Sequence, residues 1–159
     1  MARTPPTVIE FEGEIPTELL EAYSKMLAAR SGWVNLLPEV VEPEEGVRRR
    51  LIDANPLTSM GTALTARSRR RPLPRLGVAH PQGRVKLSDL AASGLALPAG
   101  WRLVSSHARR GLVVDPAPQS SALEQLDWLL EATAALCPLP STGRFRAELH
   151  QARGRATSR

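Results

Sequence analysis

The chain has little of several things: one cysteine, two lysines and six aromatic residues among 159 positions. A lone Cys137 excludes an intramolecular disulfide and leaves no thiolate cluster for structural zinc. A reducing, cytoplasmic compartment is therefore the expected location. No apolar run approaches the roughly 20 residues of a membrane-spanning helix, and the opening Met1-Ala2-Arg3-Thr4-Pro5-Pro6-Thr7 has no apolar stretch behind its basic residue. Neither a membrane span nor a recognisable export signal is expected.

Chemistry-bearing motifs are also missing. His80, His107 and His150 are too widely spaced for a local metal site, and each reads as a turn or surface residue. No G-x-S-x-G elbow, P-loop or dinucleotide fingerprint occurs. Cys137 falls at the end of a helix, where the negative dipole raises a thiol pKa, and reads as a small buried hydrophobe. The expectation is a non-catalytic protein with no cofactor and no metal.

What the chain does have is unevenly distributed charge. Residues 1–45 carry nine acidic and three basic side chains, residues 46–110 thirteen basic and two acidic, and residues 111–159 five of each. The net +5 is thus concentrated in the middle. Nineteen of the 21 basic residues are arginine, but a GC-rich coding sequence alone would produce that excess. Clustering is more informative, because codon bias does not place residues in runs. An electropositive segment behind an acidic one calls for an anionic partner or for internal neutralisation.

Thr7 to Phe11 is β-branched and apolar and reads as a strand. Pro16, Thr17 and Glu18 then suit a helix start, and Arg30-Ser31-Gly32 suits its end. Leu19, Leu20, Ala22, Tyr23, Met26 and Leu27 share one arc of that helix. Trp33 to Leu37 is apolar and extended, ended by Pro38. From Glu39 to Arg75 no period of 2 or 3.6 persists, and the stretch reads as a mobile charged insert holding a short strand near Thr62 to Ala66.

Leu76 to His80 and Arg84 to Leu87 flank a Pro-Gln-Gly turn and read as a hairpin. A short helix from Ser88 to Ser93 stops at Gly94. Trp101 to Ser106 and Leu112 to Asp115 read as a second hairpin. The clearest element follows: Ser121 and Glu124 form a capping box, and Pro138 bars continuation, so a helix is expected from about Ala122 to Cys137. Its buried arc is Ala122, Leu123, Leu126, Leu129, Leu130, Thr133 and Leu136, and Glu124, Asp127 and Glu131 form an acidic ridge. Trp128 falls outside that arc. The tail from 151 to 159 has no apolar residue beyond alanine and is expected to fray.

Together these elements predict a single α+β domain over residues 1–150: a small antiparallel sheet of hairpins with two longer amphipathic helices packed on it. The leading functional expectation is a binding or adaptor protein acting through a protein partner, self-association included. Its candidate surface is Asp127, Trp128 and Glu131, because an indole on the wrong side of a capped helix either packs under another element or meets a partner. The alternative is nucleic-acid association through Arg67, Arg69, Arg70, Arg71, Arg109 and Arg110, which would present cations on a loop and a hairpin tip. No aromatic is interleaved with those arginines, as single-strand stacking would prefer.

Overall fold

The computed structural model describes residues 5–41, 59–65, 74–80, 87–107 and 111–151. Seven strands make one sheet: β1 (Thr7–Glu12), β2 (Trp33–Val40), β3 (Met60–Leu64), β4 (Arg75–Ala79), β5 (Arg102–His107), β6 (Gly111–Asp115) and β7 (Ser141–His150). Their spatial order is β1-β7-β2-β3-β4-β6-β5, and every neighbouring pair is antiparallel. Three helices complete the described elements: α1 (Thr17–Ala29), α2 (Leu87–Ala92) and α3 (Ala122–Ala135).

Strand periodicity sorts the side chains onto two faces. On the inner face, the cross-strand register aligns Val34, Leu36, Ala63, Leu76, Val78, Leu112, Val114, Ala147 and Leu149, all buried. Helix α3 lies on this face against β2, β3 and β4. Gly61 of β3 is fitted to that approach, since a Cβ there would collide with Thr133 Oγ1 and crowd the Leu129 side chain. The same crossing is pinned by Ser59, whose hydroxyl donates to the Thr133 carbonyl. Helix α1 packs beside α3, where the Tyr23 hydroxyl donates to Gln125 Oε1 at 2.7 Å. Gln125 in turn donates to the Ser120 hydroxyl and carbonyl at 3.0 and 3.3 Å, so this buried polar group is satisfied.

The helix termini follow from local chemistry. Ser121 Oγ accepts the Glu124 backbone N–H at 3.1 Å, the capping half of the Ser121/Glu124 pattern. Gly94 stops the α2 segment at φ +82°, a conformation glycine adopts without steric cost, and the Leu95 N–H returns to the Leu90 carbonyl at 2.8 Å.

Several sequence expectations need correction. The sheet is the dominant element, not a small one, and the helices are 13, 6 and 14 residues long, so a small sheet carrying two longer helices is not what forms. The largest omission was β7, which inserts between β1 and β2 and joins the two ends of the chain. Of the hairpin expected over Leu76 to Leu87, the first strand is β4, whose two neighbours are β3 and β6, and Leu87 begins α2; residues 81–86 lie outside the described residues. Strand β2 continues through Pro38 because its pairing to β3 ends at Leu36, and a proline without an N–H is tolerated where one flank has no partner. The insert expected over 39–75 contributes the central strand β3; its residues 42–58 and 66–73 lie outside the described residues, as does the tail beyond 151.

Candidate functional site

The α2–β5 connection turns at Gly94 and runs through Leu95, Ala96 and Pro98 alongside α3. A cleft of about 430 Å³ lies between them. Helix α3 supplies its other wall with Leu123, Glu124, Asp127, Trp128 and Glu131. All three residues singled out from the sequence, Asp127, Trp128 and Glu131, therefore meet at one concavity.

The wheel reading of α3 is corrected at two positions. Trp128 is buried, at 5% exposure, and Leu123, assigned to the buried arc, is 42% exposed. The reason is that α3 is covered on three sides: by the sheet, by α1, and by the connection that carries Trp101. The Trp101 and Trp128 rings lie 5.4 Å apart at 55°, a tilted aromatic contact. Trp128, backed by Trp101, and buried Leu95 give the cleft an apolar base. Neither indole N–H has a hydrogen-bond partner among the described residues. Trp128 thus contributes packing beneath the surface, and Asp127 and Glu131 provide the exposed chemistry.

The rim is electronegative. Glu124, Asp127 and Glu131 make no ion pair with any described residue. Partial burial pushes the Asp127 carboxyl above its ordinary pKa, and the nearby Glu14 carboxylate raises it further. Only the Glu14 contribution reflects negative potential at the rim; burial disfavours the charged carboxylate by desolvation. No group of three or more His, Cys, Asp or Glu suited to a metal ion occurs among the described residues.

The arginine groups are placed differently. Arg67, Arg69, Arg70, Arg71, Arg109 and Arg110 lie outside the described residues, but the strand ends that anchor them are defined. The β3–β4 link leaves beside Leu64 and Arg75, whereas the β5–β6 link leaves at His107 and Gly111, level with Ala79. Those are opposite ends of the sheet, separated by the five-residue β4, or about 13 Å along the strand direction at ~3.3 Å per residue. The anchors do not bring the two groups together.

The histidines are also dispersed. His80 is 4% exposed, contrary to a surface reading, with neither ring nitrogen hydrogen-bonded to a described residue and its pKa lowered by burial. His150 stacks on Trp33, with centroids 4.7 Å apart and planes 8° from parallel. Cys137 is buried, as expected for a small apolar residue.

Comparison with protein-family models, curated proteins and solved structures finds no match to this chain. No described helix is long and apolar enough to cross a membrane.

Proposed function

We propose that the protein is a non-catalytic binding or adaptor protein that engages a protein partner through the cleft beside α3. The partner contributes a basic segment with an apolar side chain: the cation meets Asp127 and Glu131, and the apolar group rests against Leu123, Ala96 and Pro98 over the Trp128 base. The observation that carries this reading is the union of an apolar concavity with three carboxylates that no described cation neutralises. Charge complementarity at such a rim sets specificity and encounter rate, and the apolar base supplies a preformed surface.

A fluorescently labelled short peptide alternating arginine and leucine is a direct probe. Anisotropy titration should show saturable binding that weakens with salt, and Asp127→Asn/Glu131→Gln should weaken it at least about tenfold, equivalent to ~1.4 kcal/mol. Equal affinity for the double variant, or equal binding of a glutamate–leucine peptide, would remove the cleft from the account.

A further inference from the structure

The wall of the cleft opposite α3 is a stretch of main chain with few bonds of its own. Its two ends are fixed: the Leu95 N–H returns to the Leu90 carbonyl at 2.8 Å, and the Trp101 N–H to the Pro98 carbonyl at 3.1 Å. Between them, the N–H and C=O groups of Ala96 and Leu97 make no hydrogen bond with any described residue. Backbone groups are obligatory donors and acceptors, and where an extended chain leaves them open it is a template for pairing with another chain.

The side chains show that this wall is extended. Leu95 is buried and Leu97 packs partly buried against the core, while Ala96 between them is exposed and lines the cleft. A period of two is that of a strand. Pro98 adds to it, because the residue before a proline is held out of the helical region. Across the cleft, Asp127 and Glu131 are both exposed and stand one helical turn apart, about 6 Å at ~1.5 Å per residue. Side chains two positions apart in an extended peptide share one side and are separated by about 6.6 Å, at ~3.3 Å per residue. Alternate basic residues of such a peptide therefore match the two carboxylates, and the residues between them point to the Trp128 base.

We propose that the cleft takes its partner as an extended peptide, with its main chain paired to the N–H and C=O of Ala96 and basic side chains at alternate positions on Asp127 and Glu131. Resting on the cleft as the partner-binding surface, this pairing adds the mode of recognition. Main-chain hydrogen bonds supply affinity that is independent of sequence, and the carboxylates and the apolar base select the side chains. A helical partner segment fits less well, since its backbone groups bond within the helix and leave Ala96 open.

Two N-methylated forms of the arginine–leucine peptide test this on the full chain, one methylated at the leucine amides and the other at the arginine amides. Pairing engages alternate residues of a strand, so one form should bind at least about tenfold more weakly than the unmethylated peptide and the other within about twofold of it. In the saturated complex, the Ala96 amide proton should exchange with solvent at least about tenfold more slowly than in the free protein. Equal affinity of the two methylated forms, or an Ala96 amide whose exchange is unchanged at saturation, would overturn main-chain pairing and leave the cleft as the contact surface. Absence of saturable binding by the unmethylated peptide would overturn both.

Discussion

The two faces of the sheet are built from the same seven strands yet follow different chemistry. The inner face is aliphatic and pared down at Gly61 and Ala63, because α3 presses on the middle of the sheet. The outer face mixes ion pairs with exposed Trp33, Met60 and Leu64. Strand periodicity determines which residues share a face, but the covering element determines which face becomes core. The same contrast separates the tryptophans: Trp128 lies under the α2–β5 connection against Trp101, whereas Trp33 stands at the open face against His150.

The comparison can be broken most forcefully at Trp128. Trp128→Ala should cost roughly 3 to 5 kcal/mol in urea unfolding through lost aromatic burial and a residual cavity. A loss under about 0.5 kcal/mol would mean that the indole behaves as a surface group.

Asp115 tests whether the outer face contributes to folding stability. Arg75 Nε donates to its Oδ1 and Arg102 donates to its Oδ2, each at 2.8 Å, and Arg75 is itself mostly buried. Burial alone would raise the Asp115 pKa, but the hydrogen bonds and charges of Arg75 and Arg102 outweigh it and the net shift is downward. A depressed folded-state pKa means that this contribution is fully present above the ordinary carboxylate value of about 3.9. It is lost as pH falls through the lower folded value. Asp115→Asn, which leaves a buried guanidinium poorly compensated, should cost about 3 kcal/mol at neutral pH and proportionally less in acid. A pH-independent difference between the two proteins would refute the ion-pair explanation.

Smaller effects sharpen the contrast. Leu64→Ala should change unfolding stability by about 0.5 kcal/mol or less, as at a surface site. A cost near that of Trp128→Ala would place the outer face in the core. Asp127 should show the opposite sign to Asp115. Its pKa is raised in the folded protein, so its charge opposes folding at neutral pH, and stability is gained as pH falls through the raised value toward the ordinary one. Asp127→Asn should therefore raise the neutral-pH thermal midpoint slightly, and a lowered midpoint would contradict the assignment.

Legibility in the sequence followed the range of the interactions. The Ser121 cap, the Gly94 stop and the β5–β6 pairing are set by residues close in sequence, and they form where expected. Strand β3 was expected two residues late, near Thr62 to Ala66, and its central place was hidden because contact with α3 demands small residues at Gly61 and Ala63, which removes the bulky alternation that marks a strand. Strand β7 alternates Phe145, Ala147 and Leu149 inward with Arg144, Arg146 and Glu148 outward, but its partners β1 and β2 are more than 100 positions away. At the candidate site, the acidic ridge was visible as a helical repeat. The fate of Trp128 was not, because it depends on Trp101, brought over α3 by a connection whose path no local pattern encodes.

The central claim is that the cleft beside α3 is the partner-binding surface. Backbone amide chemical-shift mapping with the arginine–leucine peptide tests it most directly, since it locates the contact without altering the protein. The expected result is a contiguous set of shifts at Leu95, Ala96, Leu123, Asp127 and Glu131 that saturates together. Shifts confined to the outer strands or to the β5–β6 end, with these five amides unmoved, would contradict it.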